Sequence, residues 1–437
     1  MWGKIFYFKQ WGIRVLICLF VLQGSGTTAF AAPNQNQSVF DTLSQPRVIE
    51  GRDSDYENPP ILKASQYLPP ELFKSKHHRV DEKVDTFGFT NRYRIHTDYF
   101  IMDIQGDDTL RKRVQEAHAL AAMEELKKTK EFGKAAKNAA TAPFSFAKNL
   151  VTSPVDTVAS VPRGLWRYIT RVGEMVQGNR EEAEDNVGKE LIGFSESKRK
   201  LAYQLGVDVY STNQALQSEL NSIAWAAYSG GLVVSLAMTP VRVLSLTKSS
   251  SRVNQILRDN APEDLRKINR EKLQKMVSRE GLIEKFLEHP YYSPRHESIL
   301  VDALYTMNGT RDIDKFIYRA GSAESFEDAF LFQRIAELLA EYNENISPIK
   351  EFVIGPTRGL PMAVTQDNKL VMALLVDYGV WSRPAAEWIQ ELAEANHRVD
   401  PNRKIELWIT GTLSTLAKGE IEALGIAVTE NAFAQLK

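Results

Sequence analysis

The densest group of side chains that could transfer protons or bind a metal lies between residues 289 and 302. His289 and His296 stand on either side of a six-residue stretch with two prolines, and Glu297 and Asp302 follow. Zinc accepts imidazole and carboxylate ligands, and an imidazole can act as a general acid or base near neutral pH. One hypothesis is therefore an exported hydrolase or metal-dependent enzyme centred on these four residues.

A structural interpretation of the same segment is favoured by about four to one, because a six-residue gap with two prolines matches no known ligand spacing. Ser293 is suited to cap a helix and Pro294 to occupy its first position. His296 and Glu297 would then lie in the first turn. The sequence predicts a junction between two helices here.

Two further groups of residues also have both a functional and a structural interpretation. His77 and His78 precede the carboxylates of Asp81, Glu82 and Asp85, but they lie beside a polar segment where such residues gather without a metal. A structural interpretation is preferred there.

The stretch Thr410-Gly411-Thr412 follows a predicted strand and opens a predicted helix, a position where α/β folds bind anions. One glycine is a weak signal, so an anion site has odds of about one in six. The alternative is that Gly411 serves a tight turn and that Thr412 or Ser414 caps the helix.

The familiar catalytic signatures are missing from the sequence. It contains no nucleophile elbow, no H-E-x-x-H pair, no glycine-rich phosphate loop and no EF-hand loop. This counts modestly against a common enzyme class. We expect no resident cofactor or metal, and catalytic residues stay unknown.

The N-terminus has the pattern of a cleaved signal peptide. Lys4, Lys9 and Arg14 precede the apolar run Val15–Leu22, and Ala29-Phe30-Ala31 supplies the small residues of a cleavage site. We predict cleavage after Ala31 and export to a bacterial periplasm, with an extracellular destination as the alternative.

Cysteine content and charge restrict the mature chain. Cys18, the only cysteine, lies inside the predicted signal, so disulfides and thiolate metal sites are excluded. The chain has 54 basic and 55 acidic residues, and loss of three signal-peptide cations makes the mature protein about −4. We expect no nucleic-acid partner, because phosphate contacts need a basic excess.

Residues 163–176 have the pattern of an amphipathic helix at a membrane surface. One face is apolar, the opposite face is basic, and an aromatic residue lies at the boundary. The residues of these stripes are Arg163, Leu165, Trp166, Arg167, Ile169, Arg171, Val172 and Val176. A surface helix packed on a helical body fits the pattern at least as well.

A second apolar stretch, residues 223–241, has no charged side chain over 19 consecutive positions. Its length reaches the lower bound for a membrane span, but small residues make it only weakly apolar. A core helix is favoured about two to one over insertion into lipid.

The hydrophobic periodicity predicts an α+β protein that is mostly helical. An irregular helical body is preceded by a β-hairpin at 91–104 and followed by a small α/β domain with a βαβ unit near 405–429. The predicted boundaries are 1–31 signal peptide, 32–79 disordered or extended leader, 80–142 hairpin plus long helix, 143–194 proline-broken amphipathic segment and acidic linker, 195–345 helical domain and 346–437 α/β domain.

Four phrases of the sequence resemble an uncharacterised family of exported bacterial proteins. They lie at residues 91–95, 154–164, 205–213 and 407–411. The resemblance implies export, and it implies no activity, cofactor or catalytic residue.

We expect a non-enzymatic, envelope-associated binding or scaffolding protein. Its partner would be the membrane surface, bound peripherally, or an envelope protein. A third hypothesis is a partner-binding protein that uses the C-terminal α/β domain without lipid.

Overall fold

The computed structural model describes residues 55–87, 89–140, 182–234, 247–356 and 359–436. The predicted signal peptide, the amphipathic segment 163–176 and the end of the apolar stretch 223–241 lie outside these ranges. The described chain is mostly helical, with an antiparallel N-terminal sheet and a mixed C-terminal sheet that carries helices. This confirms the predicted fold class.

The N-terminal sheet has five antiparallel strands, and the longest of them is central. Its strands are β1 (Ile61–Lys63), β2 (His78–Val80), β3 (Lys83–Phe87), β4 (Thr90–Thr97) and β5 (Ile101–Gln105). Strand β4 pairs with β5 along one edge and with both β3 and β2 along the other, while β1 pairs with β3. The predicted hairpin is therefore the β4–β5 pair.

Alternation along these strands determines which face is buried. Tyr93 and Ile95 point inward from β4 and pack with Leu110 and Val114, which follow on the first long helix. Successive strand residues point to opposite sides, so Arg92 and Arg94 point outward and are exposed. One face of the sheet is core and the other faces solvent.

The predicted disordered leader is wrong for its described part. Between residues 61 and 80 the chain forms β1, β2 and two short helices, α1 (Ala64–Tyr67) and α2 (Pro70–Phe73). Ala64, Leu68 and Leu72 are buried in the core of the N-terminal sheet. Elements of three or four residues are stabilised by tertiary packing rather than by local periodicity, so the sequence pattern does not reveal them.

The helical body follows the sheet. Its helices are α3 (Asp107–Lys127), α4 (Lys130–Ala140), α5 (Glu182–Leu205), α6 (Gln214–Gly230), α7 (Lys248–Asp259), α8 (Pro262–Met276), α9 (Glu280–Leu287), α10 (Pro294–Thr306), α11 (Ile313–Ala320) and α12 (Phe326–Asn345). The long helix predicted within 80–142 is two helices, because Thr129 Oγ1 accepts a hydrogen bond from Phe132 N and starts α4 anew.

The predicted acidic linker is also wrong in part. Residues 182–194 belong to α5, which begins at Glu182 within the acidic run. Carboxylates near a helix N-terminus are stabilised by the helix dipole, so an acidic run can begin a helix as readily as it can form a linker.

The predicted start of α10 at Ser293-Pro294 is confirmed by its cap. Ser293 Oγ accepts from His296 N and Pro294 opens α10. Gly206 follows the end of α5 with φ +65°, a conformation that glycine adopts without strain. Helix α6 is capped by Asn213, whose side chain accepts a hydrogen bond from Ala215 N.

The apolar stretch 223–241 begins as the buried end of α6. Ile223, Ala224 and Ala226 are buried, and the helix ends at Gly230 before the left-handed Gly231. In the described ranges no helix combines the length and apolar character of a membrane span.

The C-terminal sheet has the order β12-β10-β8-β7-β6. Its strands are β6 (Ile349–Ile354), β7 (Pro361–Thr365), β8 (Lys369–Leu374), β10 (Lys404–Ile409) and β12 (Ile426–Thr429). Strands β8, β10 and β12 are parallel and are connected through α13 (Arg383–Val399) and α14 (Thr415–Ala423), so the predicted βαβ unit is confirmed. Short strands β9 (Tyr378–Gly379) and β11 (Thr412–Leu413) pair beyond β8 and β10, and α15 (Ala432–Gln435) ends the fold.

One carboxylate connects the two sheets. Asp377, just beyond β8, accepts hydrogen bonds from Asn91 N at 2.8 Å and from Asp107 N at 3.1 Å. Gly106, the residue before α3, has φ +91° and offers no capping side chain. Asp377 therefore supplies the N-terminal cap of α3 from the other sheet.

Hydroxyl groups surround the neighbouring carboxylate. Asp107 accepts hydrogen bonds from Tyr67 OH at 2.9 Å and from Tyr93 OH, and Asn91 Nδ2 donates to Asp107 at 3.3 Å. Burial, and then repulsion from Asp107, raise the pKa of Asp377 well above its usual range. The junction is a polar cluster whose groups satisfy one another.

Replacement of Asp377 by Ala should lower the free energy of unfolding by about 2 kcal/mol, because two backbone N–H groups lose their acceptor and α3 loses its cap. The variant also loses the repulsion between Asp377 and Asp107, and this offsets part of the loss of stability. Urea unfolding measures the change. Asp103→Ala, which removes an exposed partner of Arg94, is the matched control and should change stability by less than about 0.5 kcal/mol. Equal effects would contradict the role of Asp377.

Candidate functional site

The two histidines of the 289–302 group have aromatic neighbours. The His289 ring lies 5.4 Å from the Tyr292 ring, just after α9. The His296 ring lies 5.8 Å from the Phe330 ring, in the first turn of α10. Burial, and then the nearby Lys112, lower the pKa of His296 to about 3, so this imidazole is neutral at physiological pH.

The two carboxylates of that group face other helices. Glu297 accepts a hydrogen bond from Asn269 Nδ2 at 2.8 Å, while Asp302 forms ion pairs with Arg252 and Lys272. The four predicted residues thus have separate partners and are not brought together in one site. Among the described residues, no group of three or more His, Cys, Asp or Glu could hold a metal ion.

The second histidine group is also divided. His77 lies 3.5 Å from Asp98, and Asp81 lies 2.9 Å from His96. His77 and His78 instead pack edge-on against His118 of α3, at ring distances of 5.6 and 5.7 Å. His118 is 40 residues away in sequence, so no local spacing reveals this three-histidine cluster.

The Thr410-Gly411-Thr412 turn has a structural role. The Thr410 hydroxyl donates to Val376 O and accepts from Val376 N, both at 3.0 Å. A Cβ on Gly411 would lie 2.1 Å from Asp377 O, so only glycine allows this close approach. Ser414 caps α14, which confirms one of the two predicted caps.

A carboxylate of the chain itself occupies the start of α14. Glu57 Oε2 accepts hydrogen bonds from Trp381 N at 2.8 Å and from the Ser414 hydroxyl, and Glu57 N donates to Trp381 O. α/β folds commonly bind ligands beyond the carboxyl ends of parallel strands. Here Glu57 and Asp377 attach other parts of the chain to that edge.

The outward side of the N-terminal sheet, called here the outer face, carries a basic excess. The register places six exposed basic residues and three carboxylates on it. These are Lys63, Lys74, Arg79, Lys83, Arg92 and Arg94, with Asp81, Asp85 and Asp103. The excess of three cations contrasts with the net charge of −1 of the whole chain.

Ion pairs on the outer face leave its cations accessible. Lys83 lies 2.8 Å from Asp85, and Arg94 lies 3.4 Å from Asp103, with the basic side chains 62% and 54% exposed. Exposed pairs of this kind contribute only about 0–1 kcal/mol. A negatively charged surface can therefore compete for these cations at low cost.

Two exposed isoleucines lie at the sides of the outer face. Ile61 on β1 is 65% exposed, and Ile101 on β5 is 60% exposed. Strands β1 and β5 lie on opposite sides of β4, so the apolar side chains flank the cations. Cations with flanking apolar side chains are typical of proteins that bind at a lipid interface.

The predicted membrane-surface residues, Arg163 to Val176, lie outside the described ranges. The outer face was not predicted, although alternation at 91–96 is visible in the sequence. Its cations come from five strands or bridges spread over residues 63–94, and only the strand register places them on one surface.

Comparisons with protein-family models, curated proteins and solved structures gave no match for this chain. The resemblance to exported bacterial proteins stays a prediction.

Replacement of Glu297 by Gln should reverse a pH-dependent loss of stability. Burial raises the pKa of Glu297 to about 7, so the folded state favours the neutral acid. Its stabilising effect is complete below the unfolded pKa and is lost as pH rises through about 7. Relative to the parent, the variant should gain about 2.5 kcal/mol between about pH 5 and pH 8, measured by urea unfolding. A constant difference across this range would contradict the raised pKa.

Proposed function

We propose that this protein is a non-enzymatic, envelope-associated binding protein that attaches peripherally to an anionic membrane surface. The carrying observation is the outer face, with six exposed cations between two exposed isoleucines. The predicted signal peptide supports action in a bacterial periplasm. The predicted amphipathic segment 163–176 supports the same partner.

Electrostatic attraction would supply most of the affinity. Each Lys or Arg near an anionic bilayer contributes about 1 kcal/mol, and each exposed isoleucine that enters the headgroup layer adds about 1–2 kcal/mol. The attraction falls off over about 8–10 Å at moderate salt. Binding should therefore weaken steeply as salt concentration rises.

The use of the C-terminal sheet supports a binding role rather than a catalytic one. Its carboxyl edge holds the Glu57 carboxylate at the start of α14 and the Asp377 contacts to α3. These carboxylates join other parts of the chain to that edge. The outer face of the N-terminal sheet remains available to a partner.

Charge reversal on the outer face should reduce membrane binding. Lys63→Glu, Lys83→Glu and Arg94→Glu together should weaken binding to vesicles with about 30% phosphatidylglycerol by about 100-fold, from the loss of about 1 kcal/mol per cation. Co-flotation at low salt measures binding. The matched control replaces by Glu three exposed cations of the C-terminal sheet and its helices. These are Lys350, Arg398 and Lys404.

The control triple variant should bind within about threefold of the parent, because its changes leave the outer face intact. Equal loss in both variants would show a net-charge effect and would contradict the assigned surface. Equal parent binding to purely zwitterionic vesicles would contradict the electrostatic mechanism.

The predicted amphipathic segment gives an independent test of the same partner. Arg163→Glu, Arg167→Glu and Arg171→Glu together should weaken vesicle binding at least tenfold, because the basic stripe becomes repelled by anionic lipid. The same co-flotation assay applies. Unchanged binding would show that this segment packs on the protein instead.

A further inference from the structure

Ser75 lies in a tight turn between α2 and β2. Ser75 N donates to His78 O at 2.9 Å, and Lys74 pairs with Arg79 across the turn. The turn therefore fixes Ser75 and His78 close together. Ser75 is half-buried and His78 is buried.

The turn aims the Ser75 hydroxyl at an imidazole nitrogen. Ser75 Oγ lies 2.7 Å from His78 Nδ1, and His77 N donates to Ser75 Oγ at 3.1 Å. His78 Nε2 lies 3.1 Å from Leu72 O. A carbonyl oxygen only accepts, so Nε2 carries the hydrogen and Nδ1 is free to accept the hydroxyl proton.

A second imidazole completes the cluster. His118 Nε2 lies 3.5 Å from Ser75 Oγ, on the side of α3. Burial, and then the neighbouring imidazoles, lower the pKa of His118, and burial also lowers the pKa of His78. Two carboxylates lie near the cluster. Asp98 is 3.5 Å from the His77 ring, and Glu124 is the second. Both Ser75 partners are thus neutral bases at neutral pH.

We propose that Ser75 is an acylation site that takes an acyl group from an activated ester. A hydroxyl bonded to an imidazole whose other nitrogen is oriented by a third group is the arrangement that activates a serine nucleophile. The proposal does not depend on membrane binding.

The transfer balances without another reactant. Ser75 Oγ forms a bond to the acyl carbon while its proton passes to His78 Nδ1. The ester C–O bond breaks, and the departing alkoxide takes that proton from His78; where the leaving group departs as a stable anion, the imidazolium releases the proton to water instead. The products are an ester on Ser75 and the donor's alcohol.

The test treats the full mature chain with p-nitrophenyl acetate. We expect release of about one p-nitrophenolate per chain, with an acetyl group on Ser75 in peptide mass spectra. Ser75→Ala should abolish this adduct, and His78→Asn should slow its formation at least about 100-fold, as loss of a general base does. Ser65→Ala removes an exposed hydroxyl bonded to Glu82 and should change nothing.

A pH profile of the unmodified protein tests the base without any variant. The acylation rate should rise with pH to a plateau whose midpoint lies below 6.5, because the pKa of His78 is lowered. A rate that keeps rising through about pH 9 would indicate an ordinary hydroxyl and would overturn the proposal. An adduct confined to other residues, or equal Ser75 acylation in His78→Asn, would also overturn it.

Discussion

The contact of Asp377 with the backbone of the N-terminal sheet is the interaction on which the rest of the structure depends. Its two oxygens accept from Asn91 N and Asp107 N, which are separated from it by more than 260 residues. The contact caps α3 and places β4 against the carboxyl edge of the C-terminal sheet. The backbone of Asp377 adds a bond from its N to Phe89 O at 2.8 Å and one from Tyr67 OH to its O at 3.0 Å, so this residue joins the two sheets through both side chain and backbone.

This assembly determines which surfaces remain for partners. The carboxyl edge of β8 and β10, where α/β folds often bind ligands, carries contacts with Asp107 and Glu57. The same docking fixes α3 beneath the N-terminal sheet. The opposite side of that sheet is left exposed with its cations and isoleucines.

The sequence predicted elements whose signals are local. Alternation predicted the β4–β5 hairpin, Ser293-Pro294 predicted the start of α10, and the pattern near 405–429 predicted β10 and β12. It did not predict the short elements between residues 61 and 80, since Ala64 and its neighbours are ordered by packing on a sheet formed later in the chain.

The candidate sites also differ in whether their residues are close together in the sequence. The three-histidine cluster requires His118 from α3, and the Asp377 cap requires a residue from the far end of the chain. The residues of each group are far apart in the sequence, so no local pattern predicts either group. The 289–302 group had attractive local spacing, but helical geometry directs Glu297 and Asp302 to different partners. Clustering of His, Glu and Asp in the sequence therefore did not predict a site in the structure.

Fractionation of native cells tests the central claim of peripheral, electrostatic membrane attachment most directly. The mature protein should sediment with membranes at low salt and should be released by a wash at about 1 M salt, where screening acts over about 3 Å. Recovery in the soluble fraction at low salt, or retention on membranes through salt and carbonate washes, would contradict the account.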